Sequence, residues 1–145
     1  MKKTFKLLTV LLTFFSILNC KSKSIEPIFE NNPEQLKRVW MLVDFQDFKK
    51  EDLIKNQAQM NLTDLKNTFA NMGCNQIGFS VEIKNNKIKF LKVIQTEMFC
   101  ENKMNLENEF SKSLTEIYTY SVIGQKLFLK NSKNQNMSFV AQDWD

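Results

Sequence analysis

The three cysteines are the residues of this chain with the clearest chemistry of their own. The 145 residues include Cys20, Cys74 and Cys100 but no histidine. Without histidine, the chain has no Ser-His-Asp or Cys-His catalytic apparatus, no histidine general base and no histidine-containing zinc site. Three glycines are too few for a glycine-rich phosphate loop. We therefore expect no catalytic residues, no metal site and no cofactor.

Carboxylates cluster in one segment, which contains Asp44, Asp47, Glu51 and Asp52. An enzyme or a calcium site is the alternative interpretation of such a cluster. The segment does not follow the Asp-x-Asp-x-Asp-Gly pattern of calcium loops. We interpret these acids as a solvated surface loop.

Cys20 follows a leader-like segment. Met1–Lys6 is basic, and Leu7–Leu18 is a 12-residue apolar run. A helix needs about 20 residues to span a membrane, so this run has the size of a signal-peptide core instead. The run ends in Ile17-Leu18-Asn19-Cys20, which resembles a bacterial lipobox, although Gly, Ala or Ser usually stands where this chain has Asn19. The resemblance implies cleavage before Cys20 and acylation of its thiol. The alternatives are an uncleaved anchor or a secreted chain in which Cys20 is an ordinary cysteine.

The leader also accounts for most of the charge excess. The net charge is +4, but Lys2, Lys3 and Lys6 lie in the leader. The rest of the chain is therefore close to neutral, whereas nucleic-acid binding requires a strongly basic face. We expect no nucleic-acid partner.

These observations divide the chain into three parts. Residues 1–19 are predicted to be a signal peptide. Residues 20–35 are the lipidated cysteine and a flexible polar tether, which holds both prolines. Residues 36–145 form a single domain. Lys21 stands where an aspartate would favour retention at the inner membrane in some bacteria, so we expect the outer membrane, with the domain facing the periplasm.

Alternation of apolar and polar residues predicts that the domain is mainly β. Ile77, Phe79, Val81 and Ile83 lie on one face of a strand with period two. Asn85-Asn86 then forms a tight turn into the next strand, because asparagine tolerates positive φ. The remaining predicted strands are Leu36–Phe45, Ala58–Asp64, Lys87–Ile94, Thr119–Ile123, Lys126–Lys130 and Met137–Gln142, and Thr68–Asn71 is a candidate short strand.

One segment has helical periodicity instead. Its apolar stripe predicts a helix at about Asn105–Tyr118, with Asn105 as the N-cap and Glu107 on the polar face. The stripe comprises Leu106, Phe110, Leu114, Ile117 and Tyr118. One helix among so many strands implies antiparallel pairing. The predicted fold is a curved antiparallel sheet or small barrel of about seven strands, with one α-helix.

Cys74 and Cys100 form an even pair once lipid occupies Cys20, and an exported compartment permits a disulfide. A bridge would close a loop of roughly 27 residues, for which the chain-entropy model gives about 3.5 kcal/mol. A structural disulfide is the preferred interpretation. Redox-active thiols and buried free cysteines remain open, although the chain has neither a Cys-x-x-Cys motif nor a histidine.

Both cysteines lie in motifs that resemble one family. Gly73-Cys74-Asn75 followed by Gly78 is similar to the G-C-N-x-x-G signature of the META domain, or HslJ-like heat-shock lipoprotein, family. Thr96–Cys100 is similar to the T-x-M-x-C motif of that family, with Met98 at the methionine. Weaker similarity extends from about Gln35 to Gln142. It includes the Trp40-x-Leu42 strand, the helix containing Glu107, Phe110 and Leu114, and the closing strands Tyr120–Val122 and Leu127–Leu129.

The resemblance implies a small, mostly β domain in the bacterial envelope. It also implies stress-associated expression, an influence on resistance to the hydrophobic antibiotic novobiocin, and no established catalytic residues. We expect Gly73, Gly78 and Gly124 to occupy turns. Asn75 and Thr96 are expected to close the turn with side-chain hydrogen bonds, and a binding role for this corner is the alternative.

Three functions are compatible with these residues. The leading hypothesis is a non-catalytic envelope lipoprotein that acts through binding as a stress or antibiotic-tolerance factor. The second is a carrier of a hydrophobic ligand or lipid inside a small barrel. The third is a pilot or inhibitor lipoprotein for one envelope protein, with Trp144 as the partner contact.

Overall fold

Alternating apolar and polar residues fold the body into strands. The computed structural model of the chain describes residues 32–101, 103–133 and 135–143. A 3-10 turn at Pro33–Leu36 precedes eight strands and two helices in this part of the chain. The strands are β1 (Val39–Phe45), β2 (Gln59–Asn61), β3 (Thr68–Asn71), β4 (Gln76–Lys84), β5 (Lys87–Gln95), β6 (Ile117–Ile123), β7 (Lys126–Asn131) and β8 (Asn136–Ala141); the helices are α1 (Lys50–Lys55) and α2 (Met104–Leu114).

The strands close into a barrel in chain order. Each pairs antiparallel with the next, and β8 pairs with β1, where Met41 lies opposite Val140. The odd-numbered strands therefore begin at one end of the barrel, and the even-numbered strands end there. We call this the entry end, because the chain enters β1 there at Val39. The opposite end carries α1, α2 and the turn that contains Cys74, and we call it the disulfide end.

The barrel interior is filled by side chains. Inward-facing residues of all the strands join α2 in one buried cluster. Phe110 of α2 closes the disulfide end, with its ring edge-on to Phe45 at a centroid distance of 6.0 Å. The largest fully buried side chains include Trp40, Phe45, Phe110, Phe139, Leu36, Leu42, Leu53 and Met60. An internal ligand would have to displace this core.

The predicted mainly β antiparallel fold with one main helix is confirmed, with eight strands rather than about seven. The short β2 and β3 each hold a separate position between β1 and β4. The predicted hairpin turn is also present, and Asn85 has a φ of 57°.

The predicted bounds of the main helix were wrong at both ends. The helix ends at Leu114, and Ile117 and Tyr118 begin β6. β-branched and aromatic residues favour a strand there, and their spacing matched the helical stripe by coincidence. At the start, Lys103 occupies the cap position without a side-chain capping bond, and Asn105 lies inside the helix.

One of the three glycines does not lie in a turn. Gly73 and Gly124 have positive φ angles of 113° and 59°. Gly78 instead lies within β4 opposite Ile94, next to a shift in register between Gly78 and Ser80. The turn prediction for Gly78 was therefore wrong, because the G-C-N-x-x-G spacing extends past the turn into the strand.

Candidate functional site

The two cysteine motifs meet at the disulfide end of the barrel. Residues 72–75 connect β3 to β4, and residues 96–100 leave β5 toward α2. We call these two segments the motif corner. Cys74 and Cys100 are joined by a disulfide across it, with their Cα atoms 6.1 Å apart. The bridge links two segments that are 26 residues apart in sequence.

Asn75 is the centre of the motif corner, and its side chain is fully buried. Its Nδ2 donates to Glu107 Oε1 at 2.7 Å and to the Met98 carbonyl at 2.9 Å. Its Oδ1 accepts from the Met98 amide and from Thr96 Oγ1, both at 2.8 Å. An asparagine side chain offers two donor hydrogens and two acceptor lone pairs, and all four are used here. Asn75 therefore fixes the 96–100 segment as a neighbouring strand would.

Thr96 extends this network to the start of β4. Its hydroxyl donates to Asn75 and accepts from the Gln76 amide at 3.2 Å. Thr96 and Asn75 thus make the turn-closing side-chain hydrogen bonds that the sequence led us to expect.

Glu107 connects the motif corner to α2. Its Oε2 accepts from the Asn75 amide at 2.7 Å, so both carboxylate oxygens are bonded to Asn75. The side chain is fully buried. The prediction that Glu107 lies on the polar, solvent-facing side of the helix was therefore wrong. Its position three residues before Phe110, on the same helix face, was the available signal.

Gly73 lets the turn pack against α1. Its φ of 113° is strained for residues with a side chain, and a Cβ there would lie 2.9 Å from the Asn56 side chain. Its amide also donates to Asn71 Oδ1 at 2.7 Å. Gly73 is therefore required by both the conformation and the packing of this turn.

The motif corner holds an apolar surface in solvent. Phe99 is 86% exposed, Met98 is 55% exposed and Ile94, at the end of β5, is 71% exposed. We call these three side chains the apolar tip. The main chain of Met98 is bonded to Asn75 on both sides, while its side chain points outward. An exposed apolar group on an immobilised segment is typical of a binding surface.

The Glu107 carboxylate and the two cysteines of the motif corner are already bonded. Both Glu107 oxygens accept hydrogen bonds from Asn75, and the cysteines are bonded to each other. In the described ranges, no group of three or more His, Cys, Asp or Glu residues is placed to hold a metal ion. Asp44, Asp47, Glu51 and Asp52 are all exposed, but the prediction that they share a loop was wrong, because Asp44 lies in β1 and Glu51 and Asp52 lie in α1.

Two predicted site residues lie outside the described part of the chain. These are Cys20, the predicted lipidation site, and Trp144, the predicted partner contact. The predicted signal peptide and most of the tether lie outside it as well. Among the helices that are described, none has the length and apolarity to cross a bilayer.

A second feature is an apolar groove on the outside of the barrel, between α1 and β1. Its volume is about 580 Å³. Met41 and Ile54 line it and are exposed, and Leu53 forms part of its wall. It has no counterpart in the sequence prediction, because it forms only where α1 packs across β1.

The fold and the corner define a class: a closed eight-stranded meander barrel with one main helix, whose disulfide corner is built for rigidity. The sequence profile of the META domain matches residues 34–144. The chain belongs to the META domain family. No curated protein matches it significantly.

Two solved structures have the same fold. One, determined by NMR, is 22% identical with a TM-score of 0.62, and the match covers 77% of this chain and 96% of that one. The other, an NMR structure of a protein from Burkholderia xenovorans, is 17% identical with a TM-score of 0.62, and the match covers 86% and 97% of the two chains. The matches cover almost the whole of both solved chains.

Proposed function

We propose that this META domain is a non-catalytic lipoprotein of the bacterial envelope, which acts by binding a partner protein through the motif corner. The observation that carries the proposal is the apolar tip. Met98 and Phe99 are exposed next to each other on a segment that a disulfide and a buried asparagine hold in place, and Ile94 is exposed at the end of the strand that leads into it. Such side chains stabilise the folded domain little, whereas immobilisation lowers the entropic cost of binding.

The proposed envelope location is supported by two features. The leader and lipobox-like segment before Cys20 are typical of lipoproteins, and the disulfide is typical of proteins exported to an oxidising compartment. Lipid on Cys20 would anchor the domain to the membrane, at the outer membrane and facing the periplasm.

The anchoring half of the proposal is tested by the intact mass of protein extracted from its native membrane. We expect loss of residues 1–19 and an added acyl-glycerol mass on Cys20. After alkylation without reduction, Cys74 and Cys100 should stay unmodified. An unlipidated mass would contradict the anchor, and two thiols that alkylate before reduction would contradict the disulfide.

The binding half is tested by complementation of a deletion strain under heat or novobiocin stress. Replacement of Met98 and Phe99 by serine should abolish rescue while the protein remains folded and lipidated. Replacement of Ile54, which is also exposed but lies on α1, is the matched control and should preserve rescue. Full rescue by the Met98/Phe99 variant would contradict binding through the tip.

The groove between α1 and β1 favours one second candidate, a hydrophobic-ligand carrier. The barrel interior is filled, so a ligand would lie in this external groove of about 580 Å³. Native mass spectrometry of gently purified protein should then show a bound apolar molecule. A protein free of ligand would contradict the carrier and leave the binding proposal intact.

A further inference from the structure

The outer surface of β4 to β7 carries a concentration of lysines. Lys84 and Lys87 lie opposite each other across the β4–β5 hairpin. Lys87 pairs with Thr119 of β6, which in turn pairs with Lys130 of β7. Adjacent strands are about 4.8 Å apart, so Lys87 and Lys130 lie roughly 10 Å from each other at the backbone. The lysine face comprises Lys84, Lys87, Lys89, Lys126 and Lys130, all of them exposed.

No ion pair in the described ranges involves the lysine face. The two ion pairs found there are Lys37–Glu34 and Arg38–Asp143. One carboxylate, Glu82, shares the surface, opposite Lys89. The chain beyond the leader is close to neutral overall. The excess positive charge on this face is therefore balanced by negative charge elsewhere on the domain.

Apolar side chains lie among the lysines. Tyr118 is exposed, with the Lys87 Nζ 4.8 Å from its ring centroid. Ile123 is exposed, and Phe128 is half-buried beside it. They line two shallow hollows of about 590 and 520 Å³ on this side of the barrel. Lysines interspersed with aromatic and aliphatic groups are typical of surfaces that contact the headgroup region of a bilayer.

The polypeptide reaches the domain beside this face. The Arg38 guanidinium donates to the Gln125 side chain, and Gln125 precedes Lys126 in the β6–β7 turn. If Cys20 carries lipid, the 11 residues between Cys20 and Asn32 keep Asn32 within about 40 Å of the lipid, the greatest length that such a stretch of chain can span. Lys84, Lys87 and Lys126, which lie next to the turns of the entry end, would then be within reach of the bilayer surface, with the motif corner at the opposite end of the barrel.

We propose that the lysine face docks on the anionic phospholipid surface of the membrane and orients the anchored domain with its apolar tip away from the bilayer. We assign an anionic bilayer to this face because the lysines complement its negative charge and because the chain enters the domain beside Gln125 and Lys126. The orientation depends on the proposed lipid anchor, but binding to an anionic bilayer does not. Each lysine near such a surface contributes about fivefold to binding, so three contribute on the order of 100-fold.

Binding is measured by co-sedimentation of residues 21–145, which carry no lipid, with vesicles of phosphatidylcholine with or without phosphatidylglycerol. We expect binding to the anionic vesicles only. It should disappear when salt rises from about 0.01 M to about 1 M, because the Debye length falls from roughly 30 Å to roughly 3 Å. Absence of binding, or equal binding to neutral vesicles, would overturn the proposal whether or not Cys20 is acylated.

Two triple variants localise the binding. Lys87→Gln, Lys126→Gln and Lys130→Gln together should weaken it by about 100-fold. Lys49→Gln, Lys50→Gln and Lys55→Gln remove the same charge from exposed positions in and beside α1 and should leave it within about threefold. Equal losses in the two variants would overturn the assignment to this face. Displacement by millimolar inorganic phosphate, or tighter binding to a single-stranded RNA than to the vesicles, would overturn the assignment to a lipid surface.

Discussion

Asn75 and Glu107 are 32 residues apart in sequence, yet each carboxylate oxygen of Glu107 accepts a 2.7 Å hydrogen bond from Asn75. One bond comes from the main chain and the other from the side chain. A buried carboxylate is costly unless it is fully hydrogen-bonded, and here Asn75 supplies both bonds. This pair joins the β3–β4 turn to α2, and through Met98 it also determines where the apolar tip lies.

Loss of the Asn75 side-chain carboxamide should be strongly destabilising. Asn75→Ala removes four side-chain hydrogen bonds and leaves one oxygen of a buried carboxylate unpaired. We therefore expect the free energy of unfolding to fall by about 3 kcal/mol or more. Urea unfolding followed by circular dichroism measures this change, and a loss below about 1 kcal/mol would contradict the structural role of Asn75.

The coupling between the two residues is a separate prediction. Glu107→Leu should also destabilise, but the Asn75→Ala/Glu107→Leu protein should be more stable than the sum of the two single effects by about 1 kcal/mol or more. Additive effects would show that the two side chains act independently, contrary to the geometry.

The disulfide should contribute substantially to stability. Cys74→Ser/Cys100→Ser should lower the free energy of unfolding by about 3 kcal/mol, because the bridge restricts a long loop in the unfolded chain. Thermal unfolding of the oxidised protein, the reduced protein and the double variant checks this. The reduced protein and the double variant should have similar Tm values, and an unchanged Tm on reduction would contradict the prediction.

Alanine substitutions at Gly73 and Gly78 form a matched pair of variants. Gly73→Ala should destabilise by about 1–3 kcal/mol, because the residue has positive φ and the new Cβ would meet Asn56 at 2.9 Å. Gly78→Ala should be nearly neutral, since its Cβ would lie an ordinary 3.6 Å from Ile94. Chemical denaturation of both variants tests the contrast, and equal effects would refute it.

Tyr120 should lower the stability of the folded protein at alkaline pH. Its hydroxyl is buried and has no hydrogen-bond partner within the described ranges, and burial raises the pKa of the phenol above its ordinary value of 10.0. The folded state therefore holds this proton more tightly than the unfolded state. The resulting stability is present below about pH 10 and is lost as pH rises through the folded-state pKa.

The Tyr120→Phe variant isolates this effect. At neutral pH it should match the parent protein or exceed it by up to about 1 kcal/mol, because it removes an unpaired buried hydroxyl. Its advantage should grow above about pH 10, as measured by urea unfolding at neutral and alkaline pH. A Phe variant that is less stable than the parent at both pH values would contradict this description of Tyr120.

Local patterns in the sequence predicted most of the fold. Alternation of apolar and polar residues predicted the β4–β5 hairpin and its Asn85 turn, and the even pair of cysteines left once lipid occupies Cys20 favoured the Cys74–Cys100 disulfide. The end of α2 was missed because Ile117 and Tyr118 fit a helical stripe and a strand equally well, and tertiary pairing with β7 decides between them. The burial of Glu107 was missed because a glutamate is ordinarily solvated, and Asn75, which pairs with it, lies 32 residues away.

The most direct test of binding through the motif corner is photo-crosslinking in living cells, with a photoreactive amino acid at position 99. A second protein with the probe at position 54, also exposed, is the control. We expect one dominant crosslinked species from position 99, absent from position 54 and weakened when Cys74 and Cys100 are replaced by serine. The same diffuse products from both positions would contradict binding through the motif corner.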